Sequence, residues 1–232
     1  MDLIKQFKDR IIIFDGAMGT QLQLKNLKAD DFNGYSGCNE MLNLSRPEII
    51  SEIHSEYLAA GADIIETNTL GANELTLAEN NIFNQTLQIN KKAAQLAKKQ
   101  AEVHSTKAKP RFVAGSIGPG TKLISFGKIS FDEMFNSYIK QLQGLRDGGV
   151  DLFIIETCQD LHQIKCALIA ANENFKIYGR IPVIVSIVLD DNGKMLTGSS
   201  IDAVISTLQP FEPDFLGINC ISDISKAGHS VF

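Results

Sequence analysis

The sequence contains no CxxC, no HExxH and no GxSxG, so the common redox, zinc-protease and serine-hydrolase signatures are missing. It also lacks long apolar runs. Stretches such as 11–14 and 152–155 fall far below the roughly 20 residues that cross a bilayer, which excludes a membrane span. The first ten residues, MDLIKQFKDR, have neither the apolar core nor the small-residue cleavage site of a signal peptide. A cytoplasmic protein is therefore expected. Basic residues are few and scattered, 22 against 27 acidic for a net charge of −5. No stretch suits a phosphate backbone, so nucleic acid is not an expected partner. Low-complexity segments and interdomain linkers are absent as well, which leaves one domain as the default for 232 residues.

What is present is a globular composition, with 44% apolar and 21% charged residues, enough to build a sizeable core. The four cysteines, Cys38, Cys158, Cys166 and Cys220, are irregularly spaced. Without an export signal they read as reduced thiols, each a candidate ligand or nucleophile.

Short β-branched runs alternate with segments of helical period, the pattern of βα units on a parallel sheet. The spacing predicts six strands, at 11–15, 63–67, 112–116, 152–156, 183–188 and 215–219. Most are continuously apolar, as strands buried on both faces are. It predicts helices at Pro47–Ala60, 87–104, 131–146, 161–174 and Ile201–Leu208. Ser45 and Glu48 have capping-box spacing before the first of these, and Gly61 is placed to end it. A weak internal echo links Gly61-Ala-Asp-Ile-Ile-Glu-Thr67 with Gly149-Val-Asp-Leu-Phe-Ile-Ile-Glu-Thr157. Both leave a helix and run through a buried strand that ends in Glu-Thr.

Polar residues gather where these strands end: Asp15-Gly16, Glu66-Thr67-Asn68, Gly115-Ser116, Glu156-Thr157 and Asn219-Cys220. In an α/β barrel such ends converge on one mouth, whereas a flat doubly wound sheet spreads them along an edge. The barrel accounts for more of them. Asp15-Gly-Ala-Met-Gly-Thr20 supplies two glycines, an acid and a hydroxyl, which suits a ligand with an ammonium group as well as it suits a plain Asp-Gly turn. Glu66 and Glu156 are more telling, because an acid ending an apolar strand is costly to bury unless it is paired or faces a polar site. Together they suit a cationic substrate group. Gly115 to Gly120 offers a phosphate cradle only weakly, lacking the Lys-Ser/Thr ending of a P-loop. Cys220 is on spacing alone a small buried residue or a ligand, Cys158 is able to reach the mouth, and Cys166 belongs to the core. Cys38 has no partner spacing that suggests a metal. His54, His104 and His162 are expected on solvated helix faces, and His229 in the tail.

Taken in order, Asp15-Gly-Ala-Met-Gly-Thr20, Cys38-Asn-Glu-Met-Leu-Asn-Leu-Ser-Arg-Pro47, Ala60-Gly-Ala-Asp-Ile-Ile-Glu-Thr-Asn-Thr69, Gly118-Pro119, Ile155-Glu-Thr157 with Asp160, and Gly217-Ile-Asn-Cys220 cover nearly the whole chain. The string resembles the homocysteine-binding domain of the homocysteine S-methyltransferase family, and within it the cobalamin-dependent methionine synthases most closely. The resemblance implies a (β/α)8 barrel of TIM type whose mouth holds zinc on three cysteines, one after strand six and an adjacent pair after strand eight. Cys220 matches the first. It implies homocysteine held by the Asp15-Gly16 loop, Thr20 and Glu156, with Glu66 and Asn68 lining the same mouth. Zinc would make the substrate thiol a thiolate able to attack an activated methyl, giving methionine. Cobalamin and methyltetrahydrofolate would act through other modules of a parent enzyme.

The sequence departs from that pattern in having no adjacent cysteines, and it ends twelve residues after Cys220. The expectation is an incomplete barrel of about six of eight βα units over residues 1–220, with 221–232 a divergent, irregular tail. Such a chain is either a piece of a longer enzyme or a natural short form in which Cys158 or His229 substitutes as ligand. A metal-free fragment that only binds the amino acid is the alternative function, and an unrelated barrel acting on a phosphorylated substrate is a third. An open sheet edge further predicts marginal stability or self-association.

Overall fold

In the computed structural model, residues 3–220 are described. The tail at 221–232, with His229, lies outside them. Five strands form one parallel sheet in sequential order: β1 (Ile64–Glu66), β2 (Phe112–Ile117), β3 (Leu152–Cys158), β4 (Val183–Ile187) and β5 (Phe215–Ile218). Helices α1 (Leu3–Asp9), α2 (Met18–Leu24), α3 (Leu42–Ser45) and α4 (Pro47–Ala60) precede β1. Helices α5 (Glu74–Ala78) and α6 (Thr86–His104), then α7 (Phe131–Gly148), α8 (Leu161–Tyr178) and α9 (Ile201–Leu208), make the crossovers. The fold is α/β, an unclosed barrel type: among the described residues β5 does not pair back to β1. No helix among them is long and apolar enough to cross a membrane.

The segment at 11–15 is the main departure from expectation. It runs along β1 but makes a single parallel bridge, Phe14 to Ile64. The Ile13 carbonyl accepts from the Asp63 and Ile64 amides and the Asp15 amide donates to the Ile64 carbonyl, and among the described residues the pairing extends no further. With a neighbour on one side only, Ile11 is 83% exposed and Ile13 52%. The sheet therefore has five strands and an attached edge segment, not six strands.

Two apolar layers follow from the period-2 alternation of strand side chains. Ile65, Val113, Phe153, Ile155, Val185 and Ile187 face the helices in the large core that includes Tyr138, Leu142 and Leu145. Ile64, Phe112, Ala114, Leu152, Ile154 and Ile184 face the other way, into the concave interior, which α1 closes below with Leu3 and Phe7. Phe7 packs on Phe215 with ring centroids 4.3 Å apart. Two residues further along the interior rows stand Glu66, Ser116, Glu156 and Ser186, and on β5 Asn219 stands four beyond Phe215. The same alternation that builds the lower core thus delivers a ring of polar side chains above it.

At the lower end the sequence echo is a physical unit. Asp63 accepts from the Ile13 amide at 3.0 Å, Asp151 from Val113 at 2.8 Å and Asp214 from Val183 at 2.8 Å. Each acid ties the start of the preceding strand and carries a cation, Arg10, Lys98 and Arg180 respectively.

Helix α4 has the predicted limits, and Gly61 (φ 121°) ends it, its amide reaching Tyr57 and Leu58. The capping box does not form. The Ser45 hydroxyl bonds back to the Met41 carbonyl, and Glu48 pairs with Arg46.

Candidate functional site

A cavity of about 420 Å³ opens at the C-terminal ends of the strands. Asp15, Gly16, Glu66, Asn68, Glu156 and Cys220 all line it, so the structure brings together six of the seven residues singled out in the sequence. Thr20 is the exception, exposed on α2 and outside the lining. Gly16 has a steric reason: a Cβ there would lie 2.9 Å from the Tyr57 hydroxyl.

Four carboxyl groups line this cavity: Glu40 accepts from the Gly71 amide, and Asp15, Glu66 and Glu156 form a cluster. Burial pushes Asp15 up to about 7, with the Glu156 charge adding to the effect and the Glu66 amide, which donates to Asp15 at 3.0 Å, opposing it. Glu66 is raised well above the ordinary range by burial and by the charges of Glu156 and Asp15. Burial raises Glu156 too, but it accepts hydrogen bonds from Ser116, Thr157 and Glu66, which favour its ionised form. Glu66 therefore holds a proton and donates it toward Glu156, since three charges cannot be kept together in a partly dry cleft without a cation.

The wall between β1 and β2 is fixed by a closed ring of hydrogen bonds. The Ser116 amide donates to the Thr67 hydroxyl (3.0 Å), Thr67 to Thr69 (2.6 Å), and Thr69 to the Ser116 carbonyl (2.7 Å). Because Thr69 is committed to the carbonyl, each hydroxyl direction is determined. Ser116 is thereby set to donate its own hydroxyl to Glu156. A second clamp comes from residues 39–43. Asn43 bridges the Glu40 and Asn68 carbonyls, Asn68 donates to the Asn39 carbonyl, and Glu40 accepts from the Gly71 amide. Spacing gave no sign of Thr69, Asn43 or Glu40 in these roles, although Asn43 and Glu40 stand inside the string that carries the family resemblance.

The remaining candidates lie elsewhere. Cys158 is fully buried, facing the helix-side core with its thiol pushed far up by burial, so it does not reach the mouth. Cys166 is core, its thiol raised to about 12 by burial, and Cys38 is buried beside Glu40, raised to about 11. His54 is not solvated: it is wholly buried on α4, neither ring nitrogen has a partner, and burial lowers it to about 4. His104 bonds Ser55, and His162 bonds Ser125. The Gly115 to Gly120 loop is no phosphate cradle. Its Gly118 amide is spent on the Leu70 carbonyl, and Gly115 lies against Leu145 and Phe153.

Cys220 is thus the thiol at the mouth, exposed, with the Asn219 side-chain nitrogen 3.5 Å from its sulfur. Among the described residues no group of three or more His, Cys, Asp or Glu is arranged to hold a metal ion. One thiol is too small a donor set for a three-cysteine zinc site, so residues 3–220 do not fit that metal by themselves.

Comparison with known proteins agrees with this architecture. A model of the family described as homocysteine S-methyltransferase matches residues 12–231. The methionine synthases of Mycobacterium leprae (strain TN) and Mycobacterium tuberculosis (strain ATCC 25618 / H37Rv) are 40% and 39% identical over 220 residues, 94% of this chain. The chain spans 18% of the length of these relatives. Among solved structures, the homocysteine methyltransferase MmuM from Escherichia coli, in its metallated form, is similar with a TM-score of 0.77 at 25% identity. That match covers 94% of this chain and 77% of the other.

Proposed function

The chain belongs to the homocysteine S-methyltransferase family, and from that premise we propose that its mouth binds homocysteine by the amino-acid end for methyl transfer to the sulfur, giving methionine. The observation that carries this reading is the cluster of Asp15, Glu66 and Glu156 in one cleft, with Asp15 and Glu66 pushed toward their protonated forms by burial and by the neighbouring charge of Glu156. An α-ammonium group supplies a cation there. Its hydrogen-bond donors match the acceptors Glu156 and Asp15, and its charge relieves their repulsion. Asn68 and the Gly16 backbone are placed to receive the rest of the amino-acid head. The sulfur then extends toward the side of the mouth where Cys220 stands.

In this reading Cys220 contributes one ligand to a zinc ion whose other ligands come from outside residues 3–220. A bound zinc would supply a thiolate at neutral pH. Cobalamin and methyltetrahydrofolate would act through other parts of a longer parent enzyme. The reading of the chain as a metal-free amino-acid binder keeps a specific support in the incomplete donor set among the described residues. Zinc content of a longer parent enzyme, with Cys220 intact and as Cys220→Ser, separates the two: stoichiometric zinc that is lost in the variant favours the first reading, and zinc content indifferent to Cys220 the second.

Calorimetric titration with L-homocysteine and with its analogue lacking the amino group tests the recognition. The analogue is expected to bind at least about tenfold more weakly, the effect of losing a charged hydrogen bond. Equal binding of the two would overturn the proposal.

A further inference from the structure

The end of β3 carries a backbone conformation that its sequence does not favour. Thr157 has φ 59°, the left-handed region, and among the described residues it is the one β-branched side chain with a positive φ. Such a residue stays there only when its surroundings over-determine it. The conformation coincides with an extra residue in the ladder: Ile155 pairs with Val185 and Cys158 with Ile187, so three steps on β3 face two on β4. Without that bulge, strict alternation would turn Thr157 outward and Cys158 inward. With it, Glu156 and Thr157 both line the cavity and Cys158 enters the helix-side core.

The surroundings that over-determine Thr157 are one side chain. The Asn219 carbonyl oxygen accepts from the Thr157 amide at 3.2 Å and from the Ser186 hydroxyl at 2.9 Å. Its amide nitrogen donates to the Thr157 hydroxyl at 2.8 Å and lies 3.5 Å from the Cys220 sulfur. Asn219 thus grips Thr157 at both its amide and its hydroxyl from the end of β5.

We propose that Asn219 is a positioning residue: by clamping Thr157 in the left-handed conformation it keeps the Thr157 hydroxyl at the mouth beside Glu156, the acceptor for the amino group of homocysteine, with the Cys220 thiol next to it. This rests on the homocysteine reading above. If Thr157 relaxes to extended backbone, the extra residue is lost and the tip of β3 rotates. Thr157 then turns away from the mouth, and Glu156, which faces inward by alternation alone, loses the Thr157 hydroxyl.

The test pairs a broken clamp with a backbone that needs none. In the full 232-residue chain, Asn219→Ala is expected to weaken L-homocysteine binding about tenfold, in line with the cost of an unsupported left-handed residue. Adding Thr157→Gly, which allows positive φ without strain, is expected to recover most of that loss. A generic loss of structure would not be repaired by removing a further side chain. If Asn219→Ala does not fold, Thr157→Val and Thr157→Gly give the same contrast, with valine the more damaging. The three-bond HN–Hα coupling of Thr157 reads φ with no ligand present, and in Asn219→Ala it is expected to move to the extended value. That readout stands even if the unaltered chain binds no homocysteine, a result that would count against the function alone. Unchanged affinity and coupling in Asn219→Ala, or no recovery in the double variant, would overturn the inference.

Discussion

The two units that echo each other in sequence, Gly61 to Thr67 and Gly149 to Thr157, share a lower end and diverge at the upper one. Below, Asp63 and Asp151 make the same bond to the start of the preceding strand, each with a basic partner. Above, both strands present a glutamate to the cavity, but the following threonines part. Thr67 is buried in the closed hydroxyl ring with Thr69 and Ser116, whereas Thr157 takes a left-handed turn into the mouth under the grip of Asn219. A repeated strand supplies the scaffold. The chemistry is differentiated at the threonine after each glutamate, by partners from other parts of the chain.

The lower ends differ in depth, which sets the largest expected effect. Asp63 is 2% exposed and meets Arg10 and Arg111, while Asp151 is 25% exposed. Asp63→Ala is expected to lower the unfolding free energy by about 3 kcal/mol, because it strands buried guanidinium charge and the Ile13 amide. Asp151→Ala should cost about 1 kcal/mol. Urea unfolding measures both, and equal losses would dissolve the distinction.

The two glutamates are expected to separate next. Glu66 is held neutral and donates to Glu156, so Glu66→Gln keeps its donor and should change homocysteine affinity by less than about fivefold. Glu156→Gln removes the proposed acceptor of the ammonium group and should weaken binding about 30-fold. The reverse order would mean that the proton sits on the other partner.

The threonines give a smaller contrast. Thr67→Val leaves the Ser116 amide without its acceptor and should cost about 1 to 2 kcal/mol of stability in urea unfolding.

Stability should also carry two opposed pH dependences. Asp15 titrates at about 7 when folded against 3.8 when free, so the folded chain holds a proton that the unfolded chain releases. Its contribution falls as pH rises from about 4 to 7. His54 titrates at about 4 against 6.5, so burial of its neutral ring loses stability as pH falls from about 6.5 to 4. Melting temperatures of Asp15→Asn and His54→Leu across this range should each lose one of the two slopes.

Much of this was legible in the residues. Continuous apolar runs gave β1 to β5, and Glu66 and Glu156 stood out because an acid at the end of such a run needs a reason. The segment at 11–15 has the same composition as the strands, yet composition does not say how many neighbours a strand finds, and among the described residues this one bridges β1 alone. Ser45 and Glu48 had capping-box spacing, but nearby groups, the Met41 carbonyl and Arg46, took both side chains. Burial of His54 was hidden because one histidine on an amphipathic helix does not say which face it takes. The left-handed Thr157 was beyond reach, since its cause lies 62 residues away in Asn219.

The central claim is that the acid cluster keeps its protons until an ammonium group arrives. Titration of L-homocysteine into the chain at about pH 6.5, in two buffers of different ionisation enthalpy, counts the protons exchanged on binding. Net release of protons to the buffer is the predicted result. Binding with none released, or with uptake, would contradict it.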